Sequence, residues 1–191
     1  MRISVYLGSH AGKNPIYMQT ARELGRRLAE EGIGVVYGGA NVGTMGALAD
    51  GVKEAGGECI GVYPEGFKGR PDVAARGERI REEGISQMII TKNFAERKQK
   101  MEDLSDCCVA LAGSWGTLDE LFTYTTNSQL RFNGGKPIFV LNTEGYYNTL
   151  EALLAHMYEE GFIDDYARGL IQFVKTPEEL IGQLRILQSR G

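Results

Sequence analysis

The sequence predicts a doubly wound, Rossmann-like α/β fold: a parallel sheet with helices on both faces. Short β-rich runs alternate with longer helical patterns from one end of the chain to the other. Most of the short runs are continuously apolar rather than alternating, as in strands covered on both faces. The chain also holds 26 glycines in 191 residues, about twice the usual ~7%, against only 5 prolines. Such glycines serve tight turns and close backbone approaches rather than a flexible linker. No repeat, low-complexity segment or linker interrupts the pattern, so residues 1–191 are expected to form a single domain.

Strands are expected at residues 3–7 (ISVYL), 33–37 (IGVVY), 58–63 (ECIGVY), 87–91 (QMIIT), 107–112 (CCVALA) and 138–141 (IFVL), with IQFV at 171–174 as a short seventh. In the first helix Tyr17, Ala21, Leu24 and Leu28 recur at helical spacing, with Arg22, Arg26, Arg27 and Glu30 between them. A later helix carries an apolar stripe of Leu150, Leu153, Leu154 and Met157. The last opens with Thr176 as N-cap, Pro177 at the first helical position and Glu179 at the capping-box position. Strand–helix alternation with right-handed crossovers makes the sheet parallel. Residues 64–85 are polar and glycine-punctuated, and are expected to form a lid over a site.

Hydrophobic residues make up 42% and charged residues 24% of the chain, and the net charge is −4. That balance offers no overall basic field for nucleic acid or an anionic membrane. The N-terminal MRISVYLGSH lacks a signal peptide's apolar stretch, and no run approaches the ~18 apolar residues of a membrane span. Cys59, Cys107 and Cys108 are odd in number and lack a CxxC spacing, the usage of buried thiols in a reducing compartment, so a cytoplasmic protein is expected. His10 and His156 stand on different elements with no acidic or cysteine cluster, so no metal site is expected.

Ligands of a doubly wound sheet bind at the carboxyl ends of its strands. Three glycine-bearing segments fall there: Gly8-Ser9-His10, the run Gly38 to Gly46, and Gly113-Ser114-Trp115-Gly116-Thr117. The latter two lead into helices, where free N–H groups and the positive end of the helix dipole suit a phosphate. Neither a Gly-Lys-Ser/Thr sequence nor a clean GxGxxG is present, which disfavours ATP hydrolysis and ordinary NAD binding. Read alone, Glu120 and Asp119 are equally well solvated acids of a first helical turn. Arg97, Lys98 and Lys100 likewise suit one wet helix face.

The stretch GIGVVYGGANVGTMGALADGVKEAGGECIGVYP at 32–64, Glu96-Arg97-Lys98, GSWGTLDE at 113–120 and KPIFVLNTEGYYNTL together resemble the Lonely Guy family of nucleoside 5′-monophosphate phosphoribohydrolases, often mislabelled lysine decarboxylases. The resemblance implies cleavage of the N-glycosidic bond of an AMP-type nucleotide, to free base and ribose 5-phosphate, by a dimer that needs no cofactor. It makes Glu120 the carboxylate that stabilises oxocarbenium-like charge at the anomeric carbon, and Arg97 the second catalytic residue. It places the 5′-phosphate on Gly113, Ser114, Gly116 and Thr117, with Gly8, Ser9, Gly38, Gly39 and Gly43 in the facing loops. Lys98 supplies a point charge, and Met45, Trp115, Asp119 and Thr126 complete the substrate contacts. Trp115 equally well stacks on a base or packs at an interface; Tyr124, Leu130 and Phe132 are candidate dimer contacts.

The family signature PGGxGTxxE departs here at Ala112 and Ser114, and Phe94-Ala95 replaces the Met-His that usually precedes Glu-Arg-Lys. Ser114 makes any positive φ costly by about 1 kcal/mol or more. The acid that holds base or sugar has no clear counterpart, with Glu78, Glu82 and Glu83 nearby. The alternative is a non-catalytic nucleotide or molybdenum-cofactor carrier of the same superfamily. A pyridoxal-dependent decarboxylase is disfavoured, since no context for a Schiff-base lysine is present.

Overall fold

A computed structural model describes residues 1–75 and 77–189; Arg76, inside the 64–85 stretch, and residues 190–191 lie outside the described residues. The strands are β1 (Arg2–Tyr6), β2 (Gly34–Tyr37), β3 (Cys59–Pro64), β4 (Gln87–Thr91), β5 (Cys107–Ala110), β6 (Ile138–Leu141) and β7 (Ile171–Val174). Among the described residues they form one parallel sheet in the order β4-β3-β2-β1-β5-β6-β7. The helices are α1 (Ile16–Glu30), α2 (Gly43–Glu54), the short α3 (Pro71–Ala75), α4 (Phe94–Asp103), α5 (Trp115–Gln129), α6 (Asn148–Glu159), α7 (Asp165–Arg168) and α8 (Pro177–Gln188).

Alternate strand residues face opposite layers, so the sheet has two cores. Ile3, Val5, Val35, Cys107 and Val109 pack with Leu24 and Leu28 of α1, Leu48 and Val52 of α2, and Leu180 and Leu184 of α8. Tyr6, Val36, Val62, Cys108 and Ala110 pack with Met101 of α4, Leu121 and Tyr124 of α5, and Leu150 of α6. Tyr124 is therefore an intrachain core residue, not a dimer contact. Continuous apolar strands follow from this two-sided burial. The exceptions are the edge strands: in β4, Ile90 is exposed, and β7 is only half covered.

The expected boundaries shift by one or two residues, with β1 ending at Tyr6 and β5 at Ala110. The Thr176 cap forms, its Oγ1 accepting from the Glu179 N–H at 3.2 Å while Glu179 accepts from the Lys175 N–H at 2.6 Å. All three cysteines are free and buried, where desolvation raises their thiol pKa values. No helix among the described residues is long and apolar enough to cross a membrane.

The chain leaves β1 toward β4 on one side and returns to β5 on the other, so the strand order reverses between β1 and β5. That switch point opens a crevice at the carboxyl edge. Helices α1 and α2 close one side of the layer at unusually short range. A Cβ at Gly25 would overlap the Leu48 carbonyl oxygen, and one at Gly51 would overlap the Arg22 carbonyl oxygen. Gly25→Ala gains about 1 kcal/mol of helix propensity, but overpacking costs about 1–3 kcal/mol, and rigid backbone places it at the upper end. The expected outcome is a net loss of stability in urea unfolding; a variant as stable as the parent contradicts this packing.

Candidate active site

Helix α4 begins at a reciprocal cap. Asn93 Oδ1 accepts from the Glu96 N–H at 2.9 Å, and the Glu96 carboxylate accepts from the Lys92 N–H at 2.8 Å. Arg97 follows one residue later, so its side chain leans back over the first turn toward the sheet edge. Arg97 is 8% exposed. Its Nε donates to the Val62 carbonyl of β3 at 2.9 Å, and its Nη1 to Glu120 Oε1. The guanidinium lies over the Phe94 ring, 5.8 Å from the centroid. Gly38 follows β2 under this group, and a Cβ there would overlap Arg97 Nη2. Only glycine leaves the arginine its place.

Glu120 comes from the second turn of α5 and is 7% exposed, so it is not a solvated first-turn acid. Burial pushes its carboxyl pKa up, Arg97 opposes that shift, and Asp119 adds to it. Ser114 precedes α5 at φ −107° and ψ −154°, with no side-chain cap bond. The expected penalty for a serine there is therefore absent, because no positive φ is required. The uncapped N–H groups opening α5 leave the helix dipole's positive end uncovered.

A cavity of about 220 Å³ joins these parts. Of the residues read from the sequence, Gly8, Ser9, Gly38, Met45, Arg97, Ser114, Gly116, Thr117, Asp119 and Glu120 line it. Gly39, Gly43 and Gly113 are not among its lining residues. Gly39 turns the chain at φ +76°, Gly43 opens α2 at φ +55°, and the Gly113 carbonyl is engaged by Tyr146.

Three expected contacts fall elsewhere. Lys98, one step round the helix from Arg97, faces α5, where its Nζ donates to both Asp119 carboxylate oxygens (2.8 and 2.9 Å) and to Thr123 Oγ1 (2.9 Å). Trp115 is 85% exposed. Thr126 lies about 14 Å along the helix from Thr117, and its hydroxyl donates to the Phe122 carbonyl at 2.9 Å.

Sequence reasoning missed the aromatic wall. Tyr63, Phe67 and Phe94 line the cavity and meet edge to face, with centroids 6.1 and 4.9 Å apart. It also left Glu78 as one of three acids. Glu78 alone of them is buried and in the cavity wall, because the 78–81 backbone is stitched onto the glycine run. Arg79 N–H donates to Asn41 Oδ1, the Asn41 N–H to the Arg79 carbonyl, and the Arg81 N–H to the Gly39 carbonyl. The signal was the isolated apolar Ile80, which bridges Ala40. The supposed lid is thus partly a fixed wall: a 3₁₀ turn at Glu65–Phe67, then α3, then this bridge.

Fold and site together define a doubly wound α/β protein with an uncapped helix N-terminus beside a buried arginine–carboxylate pair. The model of the family described as "Possible lysine decarboxylase" matches residues 45–184. The chain is 38% identical over 183 residues to the probable cytokinin riboside 5′-monophosphate phosphoribohydrolase LOGL2 of Oryza sativa subsp. japonica, covering 96% of this chain and 71% of that one. It is 37% identical to cytokinin riboside 5′-monophosphate phosphoribohydrolase LOG7 of Arabidopsis thaliana, covering 96% and 80%. In fold it is similar to the molybdenum cofactor binding protein of Rippkaea orientalis, with a TM-score of 0.70, 24% identity and coverage of 97% and 96%. The chain belongs to the Lonely Guy (LOG) family.

Removing one partner of a buried ion pair costs about 3–5 kcal/mol, whereas replacing both with apolar groups is often neutral. Arg97→Met is therefore expected to lose several kcal/mol at neutral pH, and Arg97→Met/Glu120→Leu to recover most of it. Without Arg97 the Glu120 pKa rises further, so the single variant's deficit shrinks as pH falls and the acid takes up its proton. Equal stability of the single and double variants in denaturant titration would contradict the pairing.

Proposed function

We propose that this chain hydrolyses the N-glycosidic bond of a nucleoside 5′-monophosphate, AMP or an N6-substituted AMP of the cytokinin type, releasing free base and ribose 5-phosphate. One observation carries the reading: a buried Arg97–Glu120 pair in a cavity whose rim is the uncapped start of α5. The relatives named as phosphoribohydrolases, at 37–38% identity over most of both chains, support it.

The 5′-phosphate sits on the N–H groups at the start of α5, faced by the Gly8-Ser9 loop. The ribose then reaches inward toward Glu120, and the base lies against Tyr63, Phe67 and Phe94. As the bond from C1′ to the base nitrogen breaks, its electron pair leaves with the base, and positive charge grows on C1′ and the ring oxygen. Glu120 stabilises that charge in a site where water is largely excluded. Water adds to C1′, its proton passes to Glu120 or solvent, and the base takes up a proton on leaving. Arg97 keeps Glu120 ionised and fixes its carboxylate plane; as a planar donor already spent on Val62 and Glu120, it cannot be matched by lysine. Amino-acid decarboxylation finds no support, because no lysine lines the cavity among the described residues and Lys98 is bound to Asp119.

The working unit we propose is a homodimer in a reducing, cytoplasmic compartment. Its contacts draw on the exposed apolar residues Phe94 and Phe122 and on Leu130 and Phe132, which follow α5.

The test is chromatography for free base from AMP and from adenosine. AMP is expected to be cleaved far faster; equal cleavage of adenosine would sink the phosphate assignment. Glu120→Gln is expected to lower kcat by about 10² or more with nucleotide binding kept, since the charge matters only as the transition state forms. The raised Glu120 pKa places the acid limb of the kcat profile above the ordinary carboxylate value of about 4.3, with activity falling as pH drops through it. A parent chain that binds AMP without turnover would favour the carrier reading.

A further inference from the structure

The turn carrying Gly113 and Ser114 is held from outside the cavity. Strand β6 lies beside β5 with Val140 opposite Ala110, so the chains leaving both strands meet at the same sheet edge. There Asn142 organises the following turn, its Oδ1 accepting from the Tyr147 N–H at 2.7 Å and its amide donating to Asn148 Oδ1 at 2.8 Å. Two consecutive tyrosines are thereby delivered to the turn. Tyr147 OH donates to the Leu111 carbonyl at 2.7 Å, and Tyr146 OH to the Gly113 carbonyl at 2.6 Å. The accepting carbonyls flank Ala112. The rings meet edge to face at 4.8 Å, and Tyr17 of α1 closes on Tyr146 at 5.6 Å.

The two tyrosines differ in what their bonds accomplish. Tyr147 is 3% exposed, and its hydroxyl satisfies a carbonyl that water does not reach, which is a structural duty. Tyr146 is 43% exposed, and solvent would satisfy the Gly113 carbonyl without it. What Tyr146 adds is direction. In a trans peptide the carbonyl of Gly113 and the N–H of Ser114 point opposite ways in one plane. Holding that carbonyl toward Tyr146 turns the Ser114 N–H away from it. Ser114 lines the cavity and Tyr146 does not.

We propose that Tyr146 is a positioning residue for the anion site: its hydroxyl fixes the Gly113–Ser114 peptide plane and so aims the Ser114 N–H at the phosphate. The proposal rests on the nucleotide reading above, and the peptide it fixes immediately precedes the N–H groups of α5. Free rotation of that peptide would present a carbonyl oxygen, not a donor, to the anion for part of the time.

The test compares the parent with Tyr146→Phe, which keeps the exposed ring and its contact with Tyr17. A hydrogen bond to a charged acceptor is worth more than a neutral one, so KM for AMP is expected to rise about tenfold and affinity for ribose 5-phosphate to fall equally. Affinity for adenosine, which has no phosphate, stays unchanged, as does kcat within about twofold. Equal losses for AMP and adenosine would mean a merely structural residue, and unchanged AMP kinetics would mean no role; either overturns the proposal. Amide hydrogen exchange gives a readout independent of turnover. Ribose 5-phosphate is expected to slow exchange at Ser114 in the parent and not in Tyr146→Phe, and the same response in both would overturn the proposal. Should the parent release no base from any nucleotide, the catalytic reading falls, and the exchange result decides the role of Tyr146 by itself.

Discussion

Two opposite charges buried against one another at the edge of a sheet constrain much of this molecule. Taking a guanidinium and a carboxylate out of water costs several kcal/mol each, and only close geometry with satisfied side bonds returns it. The fold supplies both. Strand β3 offers the Val62 carbonyl to Arg97 Nε, Glu120 takes Nη1, and Gly38 directly follows β2 so that Nη2 has room. The Asn93 cap fixes where α4 begins and therefore which residue meets the sheet edge. A carboxylate held this way is oriented and nearly dry, and in the proposed reaction it offers a developing cation what bulk water cannot.

The strand order explains why these parts meet. β1 and β5 are neighbours far apart in sequence, and the loops leaving them, with that leaving β2, bring a glycine-rich backbone rim to one edge. The start of α5 and a carboxylate about one and a half turns along the same helix then stand at a fixed separation, set by helix rise alone. In the function we propose, phosphate recognition and bond cleavage are thus coupled through one rigid element. The phosphate locates the substrate, and the helix locates the carboxylate relative to the phosphate. The same fold is found in a molybdenum cofactor binding protein.

Much of this was legible in the sequence, and the reasons are physical. Two-sided burial makes continuous apolar strands, so the sheet and its carboxyl-edge loops followed from Val35-Val36-Tyr37 and Cys107 to Ala110 alone. The Thr176 cap was readable because its signal is local. The pairing of Arg97 with Glu120 was not. They lie 23 residues apart on different helices, and each suits a wet helix face until tertiary packing covers it. Lys98 misled for the same reason, since one step of 100° round α4 separates a cavity residue from one facing Asp119. Glu78 and the aromatic wall stayed hidden because the 64–85 stretch carries no strong periodicity. What orders it is its bonding to the loop after β2, a long-range effect that polar, glycine-punctuated sequence does not announce.

The most direct test of the central claim is a crystal structure of the Glu120→Gln protein with AMP bound, where the substrate persists because the charge is gone. The account requires the phosphate on the N–H groups that open α5, C1′ in contact with the Gln side chain at position 120, and Arg97 still on the Val62 carbonyl. A phosphate bound away from α5, or a C1′ beyond reach of position 120, would contradict it.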